Sequence, residues 1–325
     1  MVSLFIPVYN GQRYLKETLD SILGQTFVQW ELHCVDDTST DNSYNILQRY
    51  AVEDNRIKVY RKPNEGDAPH SWHFVIPHLT GEFTLYMSQD DLLRPDTLEK
   101  LVKRQEETDA DCIIPSLTWY YGDELPSRTD HGINGDLSPV LSGTEAFLQM
   151  MDYSIPGLAL WRTTIIKENP IPLLTFNCDE YSQREWCSKC NKVAFSDGEF
   201  LYRQNNSNAI TKQFTVKQLE ATLVDAMVLQ RAVELGVPHE ILVEYVNKKY
   251  KDLWFYTVWF TINKKTVSRE RRIHMRKLFS KSFRTMHKYV TLTQRIYRWN
   301  SRNLFMFWSL VLFKAYRPNR TKRAK

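Results

Sequence analysis

The last 62 residues of this 325-residue chain, from Lys264 onward, contain one acidic side chain, Glu270, against 19 Lys or Arg. That shortage of acids gives the segment a charge of +18 and leaves the first 263 residues at −13, although the whole chain stands at +5. An acidic body followed by a basic tail implies an anionic surface as partner. Long apolar runs are also missing. Nothing reaches the ~18 residues of a membrane-spanning helix, and the stretch from Leu304 to Phe313 is about half that length and interrupted by Ser309. No basic region or cleavage site precedes the apolar segment Met1 to Tyr9, so no signal peptide and a cytoplasmic location are expected. Cysteine is scarce and odd in number, five in all, which excludes a disulfide framework and favours a reducing compartment. Cys187 and Cys190 form a CxxC with no second half to complete a zinc site, so a structural pair is expected.

What is present is an alternation of short strand-like and helix-like patterns over the first 110 residues, the mark of βαβ units around a mostly parallel sheet. Val2 to Tyr9 reads as a strand. Leu15, Leu19, Ile22 and Leu23 recur at helical spacing before Gly24, and Glu31 to Val35 is a second strand ending on Asp36-Asp37. Asp41 or Ser43 caps the next helix, Ile57 to Tyr60 is a third strand, and Phe83 to Met87 leads to a second acidic pair, Asp90-Asp91. Ligands bind at the carboxyl ends of strands in open α/β sheets. Two acidic pairs there repel unless a cation or hydrogen-bond donors sit among them.

After Asp111 the pattern is looser. Ile113 to Tyr121 and Gly157 to Trp161 read as strands, Tyr121 to Ser138 as loop, and Ser142-Gly-Thr-Glu145 opens a helix. Beyond Thr215 only helices are expected, one with Leu219, Leu223, Met227 and Gln230 on its face, the next beginning at Ile241, Leu242, Tyr245 and Val246. The organisation is therefore 1–110, an α/β half; 111–214, a second half; and 215–325, a helical, basic extension.

The opening Val2-Ser-Leu-Phe-Ile-Pro-Val-Tyr-Asn10, then Tyr14-Leu15, Ser21 to Phe27, Trp30 to Asp37, Thr38 to Ser43, Asn64-Glu-Gly66, Thr80 to Phe83 and Ser88-Gln-Asp-Asp91 follow in an order that resembles the family 2 glycosyltransferases. The resemblance covers roughly the first 110 residues. It implies a GT-A fold and an inverting, metal-dependent transfer from a nucleotide-diphosphate sugar to a saccharide or lipid-linked acceptor in cell-envelope polysaccharide synthesis. It also implies that Asp91 binds the metal, Mn²⁺ or Mg²⁺, with Asp90 near the ribose and the metal's outer shell. The first acid of a strict Asp-x-Asp is replaced by Ser88-Gln89. Hard divalent cations take carboxylate oxygens and stabilise a leaving diphosphate as Lewis acids.

By the same resemblance, Asp37 accepts an N–H from the nucleotide base, which suits uracil, thymine or guanine and not cytosine. Pro7, Val8, Tyr9 and Asn10 form the turn around base and ribose, with Tyr9 either stacking or simply packing. The acidic motif in Asn177-Cys-Asp-Glu-Tyr-Ser-Gln-Arg184 points to Asp179 as general base, with Glu180 as the substitute. Counted back from Arg184, the usual pair falls on Asn177 and Cys178. Arg203 is the basic residue that reaches the diphosphate. The Gln-x-x-Arg-Trp motif of processive synthases is absent, so single addition is expected.

His70, His73 and His78 cluster, and His73 is expected to make a hydrogen bond and not bind metal. A sugar nucleotidyltransferase is the alternative enzyme class, but Pro7 to Gly11 is not the Gly-rich phosphate loop it needs. Binding of nucleic acid by the basic tail, where Tyr289, Tyr297 and Trp299 interleave, is the non-enzymatic alternative. It leaves the ordered acids unexplained, so no nucleic acid is expected. Peripheral attachment to the inner face of an anionic membrane is expected instead, through the tail's charge and the apolar group around Trp308. The competing reading has those aromatics packing on the body.

Overall fold

The computed structural model describes residues 1–288 except 67, 124, 126, 175, 208, 210–215, 264 and 266. The expected membrane-inserting group, Leu304 to Phe313, lies outside the described residues. The chain divides into two compact units, residues 1–213 and 214–325.

In the first unit the elements run β1 (Val2–Val8), α1 (Leu15–Leu23), β2 (Trp30–Asp36), α2 (Ser43–Glu53), β3 (Ile57–Arg61), α3 (Ala68–Val75), β4 (Phe83–Tyr86), β5 (Leu92–Leu93), α4 (Thr97–Thr108) and β6 (Cys112–Tyr120). There follow β7 (Arg128–Asp130), β8 (Val140–Leu141), α5 (Gly143–Met151), β9 (Leu160–Arg162), α6 (Thr163–Glu168), α7 (Cys178–Lys189) and β10 (Val193–Arg203). One sheet of order β3-β2-β1-β4-β9-β6-β10-β5 joins residues on both sides of position 110. β1 to β4 are parallel, β9 is antiparallel to both β4 and β6, and β10 runs parallel to β6.

The alternation of side chains along β1 explains the layers. Val2, Leu4, Ile6 and Val8 face a core that holds Leu15, Leu19 and Ile22 of α1, Leu47 of α2 and Leu98 and Leu101 of α4. Phe5 faces the other way, into a core with Trp72 and Val75 of α3, Phe195, and Trp186 of α7. A parallel strand covered by helices on both faces reads as a continuous apolar run, as β1 does.

Some local expectations shift. The segment read as loop, Tyr121 to Ser138, contains β7, held antiparallel on β6. The strand expected from Gly157 begins only at Leu160. Asp91 leads directly into β5, and Asp96 flanks the start of α4. Ser142 caps α5 with its hydroxyl accepting from the Glu145 N–H, while Glu145 accepts from the Ser142 N–H. Cys187 and Cys190 are free, buried and inert, burial pushing the Cys187 thiol up to about 12. Their carbonyls approach α5 so closely that a Cβ on Gly143 would meet each at 2.4 Å.

The second unit contains α8 (Ala221–Glu234), α9 (His239–Asn263) and α10 (Arg269–Lys288). Of the face expected on this helix, Leu219 is buried just ahead of α8, but the rest is wrong. Leu223 and Met227 are half-buried and Gln230 exposed, whereas Thr222, Val224, Asp225, Val228 and Leu229 are buried. The reason is that α8 is packed on two flanks. Asp225 takes Lys249 Nζ of α9 at 2.8 Å, and Thr222 accepts from Ser282 of α10. Among the described residues no helix is long and apolar enough to cross a membrane.

Candidate active site

The carboxyl ends of β1, β2 and β4, with the end of β10, bring most of the expected donor-side residues together. Asp37 N–H donates to the Val8 carbonyl at 2.8 Å, fixing the β2 end against the β1 end. Tyr9 follows, 47% exposed. Asn10 adopts φ 51°, and its side-chain oxygen accepts from Thr40 N–H at 2.8 Å, so this residue holds the loop after β2.

Gln89, which stands near the position of the missing acid, shows what that replacement does. Its Oε1 accepts from Tyr9 N–H at 2.9 Å and its Nε2 donates to the Tyr9 carbonyl at 3.0 Å. An amide can do both at once, whereas an ionised carboxylate only accepts. The side chain lies across Gly11, where a Cβ would come within 2.3 Å of Oε1. The acidic loop is thereby tied to the turn after β1, a link that nothing in the sequence announced.

Asp36 and Asp37 each have a cation. Arg61 Nε stands 3.2 Å from Asp36, and Lys62 Nζ stands 2.6 Å from Asp37 and 2.8 Å from Glu65. Burial pulls the Lys62 ammonium down, but its bonds to Asp37 and Glu65 prevail and hold it above the usual lysine value. Sequence reasoning missed Lys62, although a lysine one residue beyond β3 is in register with the β2 acids.

Asp90 and Asp91 differ. Asp91 is 1% exposed. Among the described residues it accepts only from backbone N–H groups, those of Arg203 at 3.0 Å and Ser88 at 3.3 Å. Asp90 accepts from Asn206 Nδ2 at 2.7 Å. Among the described residues no cationic side chain forms an ion pair with either acid. Burial, and then the charge of Asp90, raise the Asp91 carboxyl to about 8. Arg203 approaches without neutralising them. Its Nε donates to the Asp90 carbonyl at 2.6 Å, its Nη2 binds Glu17, and it lies between the rings of Tyr14 and Tyr120.

On α7, Glu180 is held by the Arg184 guanidinium, one turn along, and Asp179 is not. Asp179 meets solvent at the mouth of a pocket walled by Trp72, Tyr86, Trp161 and Trp186. Enclosure by those walls, and then the Glu180 charge, raise its carboxyl to about 6. Asn177 precedes the helix at φ 57°, and Cys178 is buried as its first residue, so neither takes the acid's place. The Asp90–Asp91 and Asp179–Glu180 pairs share one field. Burial and then the charges of Asp91, Asp90, Asp179 and Glu180 push the Tyr202 phenol up to about 12.

Of the three histidines, His70 Nε2 stands 3.9 Å from Glu65, the second partner of Lys62. His73 Nε2 meets the Ile171 carbonyl at 2.6 Å and His78 stacks on Tyr60. Among the described residues no three His, Cys, Asp or Glu side chains converge to cage a metal.

A profile of Glycosyl transferase family 2 matches residues 3–164. The glycosyltransferase GlyG of Streptococcus pneumoniae is 35% identical over 271 residues, covering 79% of this chain and 89% of that protein. The poly(ribitol-phosphate) beta-N-acetylglucosaminyltransferase TarS of Staphylococcus aureus is 21% identical over 76% of this chain, which spans 44% of TarS. The crystal structure of TarS 1–349 in complex with UDP superposes with a TM-score of 0.66 at 19% identity, over 87% of this chain and 80% of that one. A mannosyltransferase of Pyrobaculum calidifontis in complex with GDP-Man and Mn²⁺ gives 0.51 at 14% identity, over 98% of this chain and 82% of that one. The GT-A fold expected from the opening motifs is thus present, with its helical extension. Sheet, motif order and the length of the match to GlyG agree, and the chain belongs to the family 2 glycosyltransferases.

Proposed function

We propose that the enzyme moves a sugar from a nucleoside-diphosphate donor to a saccharide or lipid-linked acceptor by direct displacement with inversion, with Mn²⁺ or Mg²⁺ held at Asp91. The observation that carries this reading is the Asp90–Asp91 pair, Asp91 buried and Asp90 half-buried, two hard oxygen donors with no ion-pair partner among the described residues. Such a set fits a divalent cation that keeps few protein ligands and takes the rest from water and phosphate. When bound, the cation supplies Lewis-acid stabilisation of the diphosphate leaving group. The Mn²⁺ named with the mannosyltransferase supports the choice of metal.

The remaining roles fall to the chain's own residues. Pro7, Val8 and Tyr9 pack around base and ribose, Asn10 keeps that turn in place, and Asp37 accepts the base N–H. UDP, named with TarS, carries such an N–H. Asp179 takes the proton of the acceptor hydroxyl as its oxygen attacks the anomeric carbon, and the bond to the diphosphate oxygen breaks on the opposite face. Glu180 is set aside because Arg184 holds it. Arg203 holds the acidic loop in place, since its charge already faces Glu17. The acceptor named for TarS supports a cell-surface polymer as product. The basic segment from Lys264 supports attachment to the anionic inner face of the membrane, where a lipid-linked acceptor would lie.

The test is a donor screen that reads release of nucleoside diphosphate from uridine, guanosine and thymidine sugars, with and without Mn²⁺ or Mg²⁺. Metal-dependent release from one of them is expected. Release undiminished by saturating EDTA overturns the metal assignment.

A further inference from the structure

Helix α9 carries apolar side chains on two opposite faces. Val246, Tyr250, Leu253 and Phe260 recur at helical spacing and are buried, with Phe260 against Phe279 and Tyr250 against Phe283 of α10. Phe255, Val258 and Ile262 share the opposite side of the helix and are 52%, 37% and 74% exposed. Scattered exposed apolar residues need no explanation, but three aligned over two turns form a patch. Lys248, paired at 3.1 Å with the exposed Glu244 one turn earlier, and Lys251, both exposed, extend the same stripe toward the start of the helix. At its other end come exposed Lys265, then Arg269 and Arg271, also exposed, and Ile273, 47% exposed.

We infer that this face of α9, with the basic start of α10, lies on an anionic lipid surface. Phe255, Val258 and Ile262 enter the boundary between headgroups and acyl chains, and Lys248, Lys251 and Lys265 stand at the level of the phosphates. The inference rests on the membrane reading above and assigns it a surface other than the C-terminal apolar group. An apolar stripe with cations at both ends is the pattern of a helix lying in the interface plane. The same charges argue against a second copy, because a two-fold contact along the stripe brings lysines toward lysines. Val258 and Ile262 have no ring to stack on a base, which argues against nucleic acid.

All five native cysteines are buried, so an environment-sensitive thiol probe on an Ile262→Cys protein reports from one site. On vesicles of phosphatidylglycerol and phosphatidylcholine the probe emission is expected to shift to the blue, and high salt to reverse the shift. Phosphatidylcholine alone should leave it unmoved. In the full-length chain, the combined Phe255→Ser, Val258→Ser and Ile262→Ser changes should weaken co-sedimentation with the anionic vesicles by about tenfold or more. Thermal melting and donor hydrolysis in solution should stay as in the wild type. Wild-type binding matched by the triple variant, with a silent probe, overturns the inference and leaves the membrane reading standing. A wild-type chain that sediments with neither vesicle ends both. A dimer in light scattering that the serine variant dissolves, with vesicle binding unchanged, makes the stripe a contact between copies and also overturns the inference.

Discussion

The acids at the end of β2 form ion pairs with the protein's own cations; among the described residues those after β4 form none. Arg61 and Lys62 face Asp36 and Asp37 from the neighbouring strand end, so that pair is balanced as soon as β2 and β3 are in register. Asp90 and Asp91 are ordered by backbone N–H groups and one amide, which fix the oxygens in place, and among the described residues neither forms an ion pair. The same dipeptide thus stands in two settings. One pair carries its counter-ions with it; under the proposed function the other receives its cation from solution.

The contrast breaks most visibly at Asp91. Asp91→Asn is expected to lower turnover on the order of a thousandfold, as loss of a metal ligand does. It should also abolish the rise in melting temperature that Mn²⁺ with nucleotide gives the wild type. A wild-type protein indifferent to Mn²⁺ in that titration removes the distinction between the pairs. Next, Lys62→Met makes the first pair resemble the second, leaving a buried carboxylate without its cation. Urea unfolding should show a loss of about 3 kcal/mol. Adding Asp37→Asn to that chain should restore most of the loss, and its failure to do so would mean that Lys62 acts through packing instead.

A third acidic pair sharpens the contrast through pH. Enclosure raises the Asp179 carboxyl, so its proton stays on up to about pH 6 and the residue is a base only above that. Turnover should therefore fall as pH drops through 6. Asp179→Asn should be roughly a hundredfold slower, with that acid limb gone and donor affinity kept. Smallest is the effect at Gln89. Gln89→Glu removes the donor to the Tyr9 carbonyl and sets a third negative charge in the acidic loop. A stability loss of about 1 kcal/mol in the metal-free protein is expected, read from the melting temperature.

The first half of this fold was readable because its signals are local. The β1 run, the helical spacing of Leu15, Leu19 and Ile22, and the β2 run ending in acids each lie within a dozen residues or so. β5, β7 and β8, only two or three residues long, have no period to detect and exist because a longer strand lies beside them. The site divides in the same way. Asp37, Asp90, Asp91 and Asp179 were singled out as candidates by their place in family-like motifs. Their partners Lys62, Gln89 and Tyr202 were not, since a counter-ion, an amide clamp and a buried phenol depend on tertiary neighbours. The α8 face failed for a related reason, as periodicity identifies one packed side and α8 is packed on two.

The backbone bond from Arg203 to Asp91 spans 112 positions, and the Arg203–Glu17 bond spans 186. Contacts so distant in the chain form late, because a long loop must close before they can. A nascent or truncated chain that stops short of β10 would hold every donor-side acid, yet Asp91 would lack the N–H that orients it. Synthesis order thus separates possession of the acids from competence to use them, and a fragment ending near residue 190 should contain the motifs of a transferase without its working site.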